Sequence, residues 1–580
     1  MVANTAFMVR PILSLVEVSM TLTDAMSAIA NGLADGDELY LAGFGHLVPF
    51  ALAHEIIRQD VRDLVVTKPI VDTLLDQLVC AGCVSKARFS WTHGTCFERA
   101  WRAGDLEIEE YTHYGTIALV HAGARNLPYL PVRSFAGSDL VDHNDELRFV
   151  EDPYDGELLP TVPSLQPDVT VLHGCRADRA GNVQIRGLST DVRDAAYAAE
   201  TVIASVEEIV DRETIKRDPN LTVVPETEVD YLVEEPYGAH PSYAQGYYDI
   251  DREVFEWMEL AESDERAKAW LDEWVYGVAD RSEYVEKLGQ EYFTGIHPDA
   301  RRASNSGSVV GSTDEESDGS TDSSHVEYTN AELMVVTAAR EIRDGESVMV
   351  GLGLPSVASN LAKRTHAPDI QQVYEAGIVG AEPRGTIPYG VAGPELVDGA
   401  TSAVPMIDVF GSLLQGGHLD VGFLGGAQVD RYGNINSTVI GEYNDPEVRL
   451  PGSGGACTIA CNAGRTMIIM PHEPRRFPER VDFVTSPGYL DEDRSREDLG
   501  LRGGGPELLI TDKAVFRFDE NGEAYVDSLH PRVDRAEIQD ATGWDVRFAP
   551  DVGRTPTPDQ EELRLIRKDI DPEGTYMGEE

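Results

Sequence analysis

Lysine is nearly missing from this chain: 8 of 580 residues, beside 101 Asp and Glu. The formal charge is −53 and the sequence pI about 4.5, with carboxylates spread throughout. Such a balance excludes nucleic acid as a partner, because a phosphate backbone needs a basic surface. Widespread Asp and Glu with little Lys instead predict a halophilic protein, adapted to concentrated salt where screening shortens to a few ångströms. Long apolar runs are also absent, so no membrane partner is expected. The opening MVANTAFMVRPILSLVEV holds one Arg and no convincing cleavage site, so a signal peptide is not expected and a cytoplasmic location is. Six cysteines (Cys80, Cys83, Cys96, Cys175, Cys457, Cys461) are too few for a disulfide scaffold in so long a chain. Cys80 and Cys83 have C-x-x-C spacing but no second pair, and Cys80 falls in an apolar helical run. A buried structural pair is expected there, not zinc. No metal site and no permanently bound cofactor are expected.

What is present is a folded protein, 42% hydrophobic, and too long for one core. Residues 303–328 form an acidic Ser/Gly-rich tract with almost nothing to bury, which predicts a linker. The flanking segments, 1–302 and 329–580, share internal features. Asp168 to Asn182 aligns with Asp420 to Asn434 without a gap, with eight of fifteen pairs identical. Each reads as a buried strand, a turn, and a Gly-Asn turn into another strand. Ala34 to Gly45 echoes Arg343 to Gly353: an Asp-Gly turn, a strand, a glycine-rich loop, then a helix (Pro49 to Gln59; Pro355 to Arg364). That grammar predicts two tandem, similar open α/β domains, each a mostly parallel sheet flanked by helices. Between Glu207 and Gly295 the chain turns acidic and helical, with Trp257, Trp270 and Trp274 at packing positions; a helical extension on the first domain is expected. Leu508 to Asp527 alternates like edge strands, and a charged tail follows.

The stretch most suited to chemistry is Gln372 to Gly380. Val373 and Tyr374 read as a strand ending on Glu375, with Ala376 and Gly377 leaving its carboxylate approachable. Strand ends of this kind hold nucleophiles or bases in open α/β sheets, although a strand-end Glu is ordinarily solvated surface. The second feature is Pro451-Gly452-Ser453-Gly454-Gly455-Ala456, whose backbone N–H groups can face a cavity unobstructed by side chains. Loops like this build oxyanion holes, and many are simply turns.

Together these residues resemble the family I coenzyme A transferases of the glutaconate type. Glu375-Ala376-Gly377 matches the catalytic Glu motif, with Ala376 where Asn is usual. Pro451 to Ala456 matches the Pro-Gly-x-Gly-Gly-Ala loop, and Gly426 to Asn434 matches a further signature. The first half is similar to the family's α chain, through Ala53 to Arg58, Glu109 to Thr112 and Pro131 to Ser134, and the second half to its β chain. The resemblance implies a NagB/RpiA/CoA transferase-like fold with both of these fused in one polypeptide, paired as a homodimer. It further implies acyl-CoA and a small carboxylic or dicarboxylic acid as substrates and Glu375 as the catalytic nucleophile. Gly454, Gly455, Ala456 and Gly426 would lie around the acyl-CoA. Arg384, Arg475 and Arg476 are candidates for holding substrate carboxylates. The alternative is an acyl-CoA or ring-opening CoA-ester hydrolase of the same fold; in the ring-cleaving branch Glu110 becomes the candidate acid/base.

Overall fold

The computed structural model describes residues 20–251, 256–298, 327–383, 390–491 and 494–577. The expected linker, except for its last two residues, and Arg384 lie outside them.

Two ten-stranded sheets organise the chain. In the first, eight strands run in spatial order Thr21–Thr23, Tyr231–Glu234, Thr201–Val210, Val169–Asp178, Glu38–Leu41, Leu64–Thr67, Val84–Phe89, Glu107–Glu110, all parallel. Parallel strands need crossovers and bury both faces, and Val169–Asp178 is buried at every residue. The second sheet has a parallel centre, Gln371–Tyr374, Ser347–Met349, Val421–Leu424, Arg465–Ile469 and Pro506–Ile510. An antiparallel meander through Ala514–Phe518 and Ala524–Leu529 continues it.

The repeat seen in the sequence is a repeat of hydrogen bonds. Asp168 accepts from the Glu38 N–H at 2.8 Å and Asp420 from the Ser347 N–H at 2.9 Å, tying the central strand pair in each half. At the far strand ends, Asp178 accepts from Ala180 and Asn182 amides and Asp430 from Tyr432 and Asn434 amides, closing matched turns. The repeat also pairs two strand-end residues of opposite charge. Glu375 follows the strand beside Ser347–Met349, and Lys68 follows the strand beside Glu38–Leu41. Lys68 is fully buried and donates to the Gly43 carbonyl at 2.6 Å.

The expected helices form as Phe50–Arg58 and Leu354–Arg364. The extension packs on the first half: the Trp257 indole N–H donates to Asp76 at 2.9 Å, and Trp257 and Trp270 meet edge to face at 5.2 Å.

Two expectations need correction. Leu508 to Asp527 is not the sheet edge, because Arg547–Arg554 pairs outside it, and the following charged segment folds back as helix. It buries Leu565, Ile566 and Ile570 and pairs Arg567 with Glu332 across to helix Asn330–Glu341. The cysteines are free, but Cys80 is only half-buried and its thiol hydrogen-bonds with Cys96, not Cys83. No helix among the described residues is long and apolar enough to cross a membrane.

The halves share one continuous hydrophobic core. Backbone pairing from Thr92 N–H to Pro451 C=O at 2.7 Å and from His113 N–H to Gly454 C=O at 2.8 Å stitches the glycine loop of the second half onto the first. The carboxyl ends of both sheets consequently face one shared cavity.

Candidate active site

Glu375 lies directly after its strand, where the chain turns through Gly377 at φ +117°. A side chain at 377 would run into the Val404 carbonyl, so glycine is required there. The Glu375 side chain is 16% exposed, and its carboxylate accepts no hydrogen bond among the described residues. Burial alone pushes its pKa up to about 7. Among the described residues, its nearest charged or titratable neighbour comes from the other half: His113 Nε2 at 3.5 Å from Oε2.

His113 opens the helix His113–Ala124, capped by Thr112, whose hydroxyl accepts from the Gly115 N–H. The imidazole is buried, and burial holds its pKa down at about 3, so it is neutral near pH 7. Its tautomer follows from its partners. Ser90 Oγ lies 2.5 Å from the Pro69 carbonyl and 2.5 Å from His113 Nδ1. The carbonyl can only accept, so the one hydroxyl proton goes there, and Nδ1 must carry a proton to donate to Ser90. Nε2 is left as a lone pair facing Glu375.

The cavity holds about 1070 Å³ and draws its walls from both halves and the extension, among them Trp91, His93, Ile250, Leu352 and Phe423. Gly351 and Leu352 follow one central strand of the second sheet and Gly425 the next. This is the switch point where open α/β sheets bind ligands. The glycine loop forms another wall, and two of its glycines are there for space. A side chain on Gly452 (φ +106°) would meet the Glu110 carboxylate and the Ser90 carbonyl. One on Gly455 would lie 2.8 Å from the Glu375 carboxyl carbon.

Glu375, Gly454, Gly455 and Ala456 thus line one cavity. Their amides differ. Gly454 N–H is already donated to the Ser90 carbonyl at 2.9 Å and Ala456 N–H to the Ser453 carbonyl at 3.0 Å, which leaves the Gly455 N–H without a protein acceptor among the described residues. Gly426 is not among the lining residues; it packs against Ile435, and its neighbour Gly425 takes the wall position. Arg475 is exposed and paired with Glu473, and Arg476 reaches Glu473 and the Gly426 carbonyl; neither lines the cavity. Glu110 is also outside the lining. It is locked to Arg449 at 2.6 Å and accepts from the Tyr443 hydroxyl at 3.0 Å, with 1% of its side chain exposed. His113, Ser90 and Trp91 do not stand out in the sequence. The Thr112-His113 pair, one residue past strand Glu107–Glu110, is the available signal: a second strand-to-helix turn aimed at the same opening.

A family model described as "Coenzyme A transferase" matches residues 22–235 and 331–541. The chain belongs to the coenzyme A transferase family. Each half of this CoA transferase also matches a separate polypeptide of two-component relatives. The B component of 3-oxoadipate CoA-transferase from Pseudomonas knackmussii is 45% identical over 241 residues, 41% of this chain and 92% of its own length. The A component of the same enzyme is 39% identical over 282 residues, 47% of this chain and 98% of its own length. The B component of glutaconate CoA-transferase from Acidaminococcus fermentans is 38% identical over 259 residues, 44% of this chain and 96% of its own length. A crystal structure of an acyl-CoA transferase from Escherichia coli O157:H7 superposes over 94% of this chain and 96% of its own. Its TM-score is 0.67 at 16% identity, a likeness of fold. The chain is therefore a CoA-transferase with its A-like and B-like halves in one polypeptide.

Proposed function

We propose that this CoA-transferase moves coenzyme A between an acyl-CoA and a free dicarboxylic acid by a ping-pong route through a glutamyl-CoA thioester on Glu375. The observation that carries the proposal is the state of Glu375: a largely buried carboxylate without hydrogen-bond donors among the described residues, at the wall of a cavity large enough for a thioester and its acyl group. A carboxylate stripped of donors is a stronger nucleophile than a solvated one. Its ionised oxygen attacks the thioester carbonyl carbon, and the Gly455 N–H faces the oxyanion that forms. The C–S bond breaks, CoA leaves as thiolate, and an acyl-glutamyl anhydride remains. The thiolate then attacks the glutamyl carbonyl and expels the donor acid, giving the glutamyl-CoA thioester. An incoming carboxylate repeats the sequence in reverse and departs as its CoA ester, with Glu375 restored. No proton is gained or lost over the cycle. The names of the relatives, 3-oxoadipate and glutaconate CoA-transferases, support acids of that dicarboxylic class. Glu110 lies outside the cavity lining with its Oε2 held by Arg449 and Tyr443, which speaks against the hydrolytic alternative.

The test is chemical trapping in concentrated potassium chloride. Acyl-CoA and borohydride are added together and the modified residue is mapped by mass spectrometry. Reduction of Glu375 to its alcohol is expected, and only with acyl-CoAs that the enzyme accepts. Free CoA accumulating without an acceptor acid, with Glu375 unmodified, would overturn the proposal.

A further inference from the structure

We infer that His113 is a positioning residue that keeps the Glu375 carboxylate free of compensation, by presenting it with a lone pair instead of an N–H; this rests on Glu375 being the nucleophile. Away from the cavity that its Nε2 edge faces, the ring is held by its neighbours. Ser90 and the Pro69 carbonyl fix the Nδ1 edge. Phe44 packs edge-on at 5.2 Å with an interplanar angle of 88°, and Phe410 at 6.2 Å, so the ring is held against a flip that would exchange its nitrogens. The His113 N–H bonded to the Gly454 carbonyl anchors the same residue to the glycine loop.

The consequence follows from charge. An N–H at Nε2 would hydrogen-bond the ionised carboxylate, lower its pKa and blunt its attack. A lone pair at 3.5 Å does the reverse: it can accept from the protonated acid and opposes the anion. Among the described residues, the other titratable groups on the cavity wall supply no compensating charge. His93 is held neutral by burial, and Asp249, Asp251 and Glu395 are acidic. In the first half of the fold, therefore, the residue closest to the nucleophile works by what it withholds.

The test has two readouts. In wild-type protein carrying ¹⁵N-histidine, NMR at pH 8 should show the His113 resonance, assigned by its loss in H113Q, with the proton on Nδ1; a proton on Nε2 would overturn the inference. In the second readout, kcat/KM is followed against pH. The wild-type midpoint is expected near 7, where burial places Glu375. H113Q offers an amide N–H to the carboxylate, so its midpoint should fall by roughly one unit, with a lower plateau. An unchanged midpoint with the same loss at every pH would reduce His113 to a structural role. Borohydride trapping separates the two proposals: label on Glu375 with an unchanged midpoint sinks only the role of His113, whereas no label on wild-type Glu375 sinks both.

Discussion

The α-carbon of Gly455 approaches Glu375 so closely that a β-carbon there would lie 2.8 Å from the Glu375 carboxyl carbon. Gly455 has φ −85° and ψ −11°, a conformation open to alanine, so the glycine is present for space and not for backbone freedom. What the methyl group would displace is the end of a flexible side chain. Gly455→Ala should therefore fold with a thermal midpoint close to wild type and still lose activity, on the order of 100-fold for a displacement near 1 Å. Circular dichroism with steady-state rates checks both halves of this expectation. A large drop in stability would show that the loop, and not the carboxylate, gives way.

A second expectation concerns the cost of holding Glu375 in place. Its folded pKa is about 7 against an ordinary 4.5. Below pH 4.5 both folded and unfolded chains hold the proton. As pH rises from 4.5 to 7 the unfolded chain releases it first, so stability falls, and above 7 the full penalty, about 3 kcal/mol, is present. Glu375→Gln mimics the protonated form. Its stability advantage should be several-fold larger at pH 8 than at pH 5, while transfer activity disappears. Equal gains at the two pH values would contradict the raised pKa.

Much of this arrangement was legible because it is local. The Asp-Gly and Gly-Asn turns, the strand ending on Glu375 and the glycine loop are contiguous stretches whose residue types report backbone conformation directly. Gly454, Gly455 and Ala456 look alike in the sequence, yet their amides point to different partners, because the Ser90 carbonyl that takes the Gly454 N–H comes from the other half. His113 is illegible for the same reason: its role exists only after two distant segments meet. The C-terminal helix was hidden by length, since about three turns rich in charged residues show no usable periodicity until packed on helix Asn330–Glu341.

The Glu110–Arg449 pair joins the halves behind the cavity, with 1% and 3% of the side chains exposed. Tyr443 supplies a further hydrogen bond, and Phe89, Trp101 and Tyr443 surround the guanidinium. Removing one partner leaves the other charge buried and uncompensated, a loss of about 3–5 kcal/mol. Glu110→Gln should lower the thermal midpoint without altering which residue borohydride traps. The double variant Glu110→Gln with Arg449→Met should recover part of the stability. A Glu110→Gln protein of normal stability that had lost only turnover would instead give Glu110 a direct part in the reaction.

The charge of −53 sets a last expectation. Many of the 48 Lys and Arg are already spent on local pairs, such as Arg88 with Glu38 and Glu109, Arg465 with Glu346 and Glu507, and Arg547 with Asp519 and Glu523. Exposed pairs such as that of Arg547 contribute little individually and salt weakens them, while the shielded pairs of Arg88 and Arg465 are screened less. The far larger number of unneutralised carboxylates responds in the opposite sense, because screening relieves their mutual repulsion over a Debye length of about 3 Å at 1 M salt against roughly 10 Å at 0.1 M. The carboxylates are in the majority, so the second effect wins. Thermal stability and activity should both rise between ~0.1 M and ~2 M potassium chloride. If both are already maximal at the lower concentration, local pairing has neutralised the surface more completely than its composition indicates.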